Sequence, residues 1–190
     1  CLTASSDALE CYCQYFPSIN NPKFINLPVY MEALSLSLSI KKAVVDFDEY
    51  ERDIRRSMNY GHTFAHSIEK LSNFSLPHGL AVLLGMHMAN NFAKKIDLMS
   101  ETVYNRISNA VQMTIKDVSI DIDSLQTLNP IEVLEQFKFD KKGDGKSVPL
   151  ILLKSPGEIV FYRHFFNGST AELVASVQQS LEDFMLWTQA

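Results

Sequence analysis

The sequence predicts a mainly α-helical domain with one small β-hairpin near residues 148–162, and three observations carry that expectation. Between Tyr30 and Val118, apolar residues recur at helical intervals in long stretches separated by short polar connections. The apolar run Val148 to Leu153 and the segment Glu158 to Phe161 are joined by Ser155-Pro156-Gly157, a turn sequence between two strand-like pieces. Ser169-Thr170-Ala171-Glu172 has the capping-box pattern that opens a helix, and Leu173, Val174, Val177, Leu181 and Phe184 follow on one face.

Taken in order, a helix starts near Ser6 and runs to about Tyr15, and Pro17 to Pro28 is a polar, Asn- and Pro-rich connection. Tyr30 to about Phe47 reads as helix, although Leu34-Ser35-Leu36-Ser37-Leu38-Ser39 alternates as a strand would. Glu51 to Ser72, His78 to Asp97 and Ser100 to Val118 are the next three helices, the last opened by a serine that can cap. Gly85 and the alanines along the second of these let it pack closely. After Pro130 a short helix leads to a Lys141-Lys142 turn. No repeat, low-complexity tract or linker divides the chain, so residues 1–190 are expected to form a single domain.

Composition narrows the function classes. At 46% hydrophobic over 190 residues the chain can bury a core without disulfide or metal staples. A net charge of -5 argues against a nucleic-acid surface. The sequence has no apolar run of about twenty residues and no cleavable leader pattern, which argues against a membrane span or secretion. Cys1, Cys11 and Cys13 are odd in number and clustered, which suits a reducing cytoplasm. Cys11-x-Cys13 lacks the second pair that a structural zinc site wants.

The chemistry concentrates in Asn59-Tyr60-Gly61-His62-Thr63-Phe64-Ala65-His66 and, twelve residues on, Pro77-His78-Gly79. On a helix His62 and His66 share a face, because residues four apart are neighbours. A short loop returns the chain so that His78 can join them. Two histidines at this spacing can equally be buried core residues, but a third with glycines beside it favours a divalent metal, for which neutral imidazole is a suitable ligand. Gly61 and Gly79 fit either a backbone that approaches a ligand or a helix-packing contact. Arg55 and Glu51 also have the spacing of an ordinary helix ion pair.

The run from Lys41 through Asp48-Glu49, Glu51, Arg55, Asn59-Tyr60-Gly61-His62-Thr63 and His66 to His78-Gly79 resembles the C-terminal domain of 3-dehydroquinate synthase and related sugar-phosphate cyclases. Asp140-Lys141-Lys142 and the strand Val148 to Leu153 extend the resemblance to about residue 163. It implies that His62 and His78 bind a divalent metal, usually zinc, with cobalt or another ion in its place in some cases. An acidic residue from an upstream helix completes the ligand set, and Asp7 is its counterpart here. It also implies that Lys41 and Arg55 hold a substrate carboxylate, that Glu51 contacts ring hydroxyls near the metal, and that Asn59, His66 and Lys142 bind phosphate. The catalytic roles therefore fall to Glu51 and His66.

The resemblance further implies NAD bound by an N-terminal domain absent from this chain, a homodimer, and no nucleic-acid or membrane partner. The reaction would be cyclisation of 3-deoxy-arabino-heptulosonate 7-phosphate to 3-dehydroquinate with loss of phosphate, in aromatic amino-acid biosynthesis. The chain alone should turn over little or nothing, since the hydride chemistry belongs to the cofactor. Three positions depart from the family pattern. Asp7 stands where the family has Glu, Glu10 where it has a substrate-binding lysine, and Leu80 where it has Glu after His-Gly. His78-Gly79-Leu80-Ala81 is instead similar to the motif of iron-containing and other metal-dependent alcohol dehydrogenases, the alternative reading. A divergent metal-binding domain without catalysis is a third.

Overall fold

The computed structural model describes residues 3–19, 26–116, 118, 122–137, 146–166 and 170–189. Along the chain come α1 (Ser6–Ile19), α2 (Leu27–Phe47), a 3-10 turn (Ile54–Asn59), α3 (His62–Leu71), α4 (His78–Lys95), α5 (Glu101–Ile115), α6 (Ile122–Gln126), α7 (Pro130–Gln136), β1 (Ser147–Ser155), β2 (Glu158–Phe165) and α8 (Ala171–Gln189). The expected architecture of helices with one hairpin is what forms. Lys141 and Lys142 lie outside the described residues. Among the described residues no helix is long and apolar enough to cross a membrane.

α4 is the central element. Its apolar residues Ala81, Leu84, Met88, Ala89, Phe92 and Ala93 are almost wholly buried, and α3, α5, α8 and β1 all pack against it. Each large side chain removed from water there contributes on the order of 2 kcal/mol. α8 turns Leu173, Val177, Leu181 and Phe184 inward, as its pattern predicts. Phe64 of α3 meets Phe137, just beyond α7, edge to face at 5.2 Å. β1 and β2 pair antiparallel, with Val148 opposite His164 and Leu152 opposite Val160. Nearly all of β1 is buried, while β2 alternates toward solvent.

Helix boundaries follow their local chemistry. Asn26 caps α2, accepting from the Val29 amide, and Pro28 sits in its first turn. Ser100 accepts from the Val103 amide at 3.3 Å to open α5. Asn129 accepts from Ile131 at 2.8 Å to open α7, with Pro130 leading. No residue of α2 is buried. The Leu-Ser alternation explains this, since on a helix every second residue lies about 200° further round. Leu34 and Leu38 are exposed, and Leu36 is half-buried.

The single helix expected over Glu51 to Ser72 does not form. The Asp48 carboxylate accepts the backbone amides of Arg52, Asp53 and Arg55 at 2.8–3.0 Å and bends the chain away from α2. These three hydrogen bonds hold the Asp48 carboxyl below its ordinary value. Glu51 takes a left-handed conformation with φ 55°. The chain then makes the 3-10 turn and breaks again at Gly61, whose φ of +81° suits glycine alone among common residues. A Cβ on Gly61 would lie 2.8 Å from the Val82 carbonyl oxygen, and one on Gly85 would lie 2.2 Å from the Gly61 carbonyl oxygen. α3 and α4 therefore cross backbone to backbone, which only this glycine pair permits.

Candidate functional site

His62 is the first residue of α3 and His78 the first of α4. The glycine crossing brings these two helix starts together. The His62 and His78 rings have centroids 5.5 Å apart, and the His62 and His66 rings 5.9 Å. An ion bound ~2 Å from each nitrogen with tetrahedral angles would place two imidazole centroids about 5 Å apart. His66 follows His62 by one helical turn, and its side chain is exposed.

Hydrogen bonds fix which nitrogen of each ring is available. His62 Nδ1 is 3.3 Å from the Tyr60 carbonyl oxygen. A carbonyl only accepts, so Nδ1 carries the proton and the lone pair is on Nε2. Burial, reinforced by His66 and His78, holds His62 below its ordinary pKa against the opposing pull of that carbonyl and of Glu69, so the neutral ring is favoured. His78 Nδ1 donates to Glu69 Oε1 at 2.8 Å, again leaving Nε2 as the acceptor. Two imidazoles, each donating its Nδ1–H to an oxygen, form a donor set that fits a divalent metal through Nε2.

Asp7, the expected third ligand, does not join the two imidazoles. α1 turns Ala8 and Leu9 into the core and leaves Asp7 exposed in its first turn. Among the described residues no three of His, Cys, Asp and Glu gather closely enough to hold a metal ion. Burial of Leu9 sets the rotation of α1, and Asp7 sits two residues away, on another face. Glu10 is exposed and pairs with Arg106 of α5 at 2.9 Å.

The other expected site residues lie on the segment leading into α3. Asn59 donates to Glu51 Oε1 at 2.5 Å, across the 3-10 turn. Arg55 donates its Nη1 to the Glu49 carbonyl at 2.6 Å. The helix ion pair between Glu51 and Arg55 that their spacing allows cannot form on a common helix, because the helix is absent. Lys41 is exposed near the end of α2. Arg56 lies over the Phe161 ring, its guanidinium carbon 5.1 Å from the centroid, and Thr63 donates to the Pro149 carbonyl at 3.3 Å. The hairpin thereby supports the turn and the start of α3. Gly79 plays no part in close packing among the described residues, none of which lies within 4 Å of where its Cβ would be.

Two residues of consequence carry weak sequence signals. Asp48 anchors the whole turn through three backbone amides, and Glu69 holds His78. Glu69 follows His66 by three residues, a spacing that places it near the same helix face, but its contact with His78 exists only in the folded helix pair. A cavity of about 470 Å³ between α1, α2, α4 and α5 is lined by Leu9, Tyr12, Tyr30, Tyr60, Leu83 and Met86 among others, none of them histidine. It is apolar and separate from the imidazole cluster.

Comparison with known proteins identifies the family and the fold. The family profile described as "3-dehydroquinate synthase C-terminal" matches residues 6–143. A 3-dehydroquinate synthase of Pelagibacter ubique is 35% identical over 168 residues, covering 84% of this chain and 44% of that protein. One from Nitratiruptor sp. is 36% identical over 129 residues, covering 67% of this chain and 36% of its own length. The chain thus spans less than half the length of these relatives. In structure it resembles 2-epi-5-epi-valiolone synthase from Streptomyces hygroscopicus subsp. jinggangensis, solved with NAD+ and Zn2+ (TM-score 0.74, 18% identity, 95% of this chain and 48% of that one). It also resembles a 2-deoxy-scyllo-inosose synthase solved with carbaglucose-6-phosphate, NAD+ and Co2+ (TM-score 0.66, 20% identity, 90% and 50%). The histidine motif, the helical fold and the profile match converge: this chain belongs to the 3-dehydroquinate synthase C-terminal family.

Proposed function

We propose that the chain is the metal- and substrate-binding half of a 3-dehydroquinate synthase-like lyase. The enzyme would cyclise 3-deoxy-arabino-heptulosonate 7-phosphate to 3-dehydroquinate with loss of phosphate, in aromatic amino-acid biosynthesis. The observation that carries this reading is the pairing of the His62 and His78 imidazoles, both offering Nε2, directly after a turn bearing Glu51, Arg55 and Asn59. His62 and His78 would hold the divalent ion, zinc or cobalt, with Asp7 the expected third ligand. Bound there, such an ion acts as a Lewis acid toward substrate oxygens. NAD, bound by the N-terminal domain of the full-length protein, supplies the hydride acceptor.

This chain's own residues orient the substrate. Arg55 and Lys41 suit a carboxylate, one with a planar fork and the other with a point charge. Asn59, His66 and Lys142 would hold the phosphate, and Glu51, already accepting from Asn59, would meet ring hydroxyls. The same reading makes the protein a cytoplasmic homodimer. The family match favours it over a metal-dependent alcohol dehydrogenase. One observation favours a second reading, a divergent metal-binding domain without catalysis: Asp7 is exposed and no three-ligand set closes among the described residues.

Two measurements test the proposal. Zinc content after exhaustive dialysis should be about one per chain in the wild type and lost in both His62→Ala and His78→Ala. Joined to the NAD-binding half of a 3-dehydroquinate synthase, the chain should release phosphate from the heptulosonate phosphate with NAD and zinc. Zinc binding without phosphate release would select the second reading, and a wild type that takes up no zinc in either form would refute the metal site.

A further inference from the structure

We infer that Glu69 is the positioning residue of His78: its carboxylate holds the proton on Nδ1 and thereby turns the Nε2 lone pair toward the space shared with His62. The geometry comes from two different helices. Glu69 is near the end of α3, and His78 is the first residue of α4, nine residues later. The Glu69 side chain is only 11% exposed, whereas that of His78 is 60% exposed. A carboxylate so far out of water needs a donor, and among the described residues the one hydrogen bond its carboxylate makes is to His78 Nδ1, at 2.8 Å. The imidazole, by contrast, could be satisfied by solvent. The need of the buried carboxylate for a donor therefore keeps the contact, and the contact fixes the ring.

The comparison with His62 sharpens the point. His62 receives the same treatment from a backbone carbonyl, that of Tyr60, which no substitution of that residue's side chain removes. For His78 the equivalent acceptor is a side chain, so the tautomer of the second imidazole depends on the identity of residue 69. A neutral imidazole released from such a partner can carry its proton on either nitrogen, and the form protonated at Nε2 cannot bind a metal there. Partners of this kind typically alter metal affinity 10- to 100-fold. The consequence for affinity rests on the proposal that His78 is a ligand; the tautomer does not.

The test uses the 190-residue chain labelled with nitrogen-15, at a pH where imidazoles are neutral. Long-range proton–nitrogen correlation spectra report the His78 tautomer directly, and equilibrium dialysis against zinc reports affinity. The wild type should show His78 protonated at Nδ1. Glu69→Leu should shift it toward Nε2 protonation and weaken zinc binding about 10- to 100-fold. Glu69→Gln, whose amide oxygen can accept the same proton, should restore part of both. A wild-type His78 protonated at Nε2 overturns the inference whatever the variants do, as does a tautomer or a measurable zinc affinity unchanged in Glu69→Leu. If the wild type binds no zinc while the tautomer still follows residue 69, the positioning role holds and the metal-binding reading falls.

Discussion

Gly85→Ala should be among the most damaging single-methyl additions in the protein. The new Cβ would stand 2.2 Å from the Gly61 carbonyl oxygen and 3.1 Å from the Ala65 amide nitrogen, where ordinary contact begins at 3.4 Å. The obstructing atoms are backbone, so no rotamer change relieves the clash, and α3 and α4 must separate by about 1 Å at their crossing. Overpacking of this kind costs typically 1–3 kcal/mol, and rigid neighbours on both sides put this site near ~3 kcal/mol. With a urea dependence of about 2–3 kcal/mol per M for a chain of this size, the unfolding midpoint should fall by roughly 1 M. Gly79→Ala is the matched control. None of the described residues lies within 4 Å of its Cβ, so it should be neutral or stabilising by up to ~1 kcal/mol through helix propensity. Urea titrations followed by far-UV circular dichroism measure both. A Gly85→Ala midpoint indistinguishable from wild type would refute the backbone crossing that brings His62 and His78 together.

Four other outcomes are expected. Tyr60→Phe removes a buried hydroxyl bonded to Asn90, whose Nδ2 has no partner among the described residues, so Asn90 loses its acceptor contact too. The loss of about 2 kcal/mol should lower the thermal midpoint by roughly 4–8 °C in calorimetry. Phe137→Ala empties the ring packed on Phe64 and should destabilise by about 3–5 kcal/mol, read as a fall in the denaturant midpoint. Burial alone would raise the Asp183 carboxyl, but hydrogen bonds from His87, Gln179 and Asn91 hold it below its ordinary 3.8. Its stabilising effect is thus present above 3.8 and lost as pH falls through the lower folded value, so Asp183→Asn should flatten stability against pH in that acid range. Amides of α2, which buries no residue, should exchange with deuterium far faster than those of α4.

The sequence reveals those parts of the fold that local pattern controls. α4, α5, α8 and the hairpin follow apolar periodicity, Ser100 and a proline-glycine turn, and all lie where those signals put them. The break within residues 51–72 was not legible because its causes are non-local. Asp48 reaches forward to three amides, and Gly61 is required by Gly85, twenty-four residues on. The site divides in the same way. Spacing alone relates His62 to His66, and the loop length suggests that His78 returns to them. The partner of His78 and the outward turn of Asp7 depend on how α3 meets α4 and on which face of α1 carries Leu9.

The imidazole pair and the turn that precedes it rest on largely different supports, which meet where Thr63 bonds the Pro149 carbonyl and where His62 bonds the Tyr60 carbonyl. The helix starts are set by the glycine crossing, whereas the turn with Glu51, Arg55 and Asn59 is braced by Asp48 and by Arg56 against the hairpin. Changes to the turn or the hairpin that keep those two contacts can therefore accumulate without altering the spacing of the two rings. Such a division would let the turn vary in sequence while the two imidazoles keep their distance.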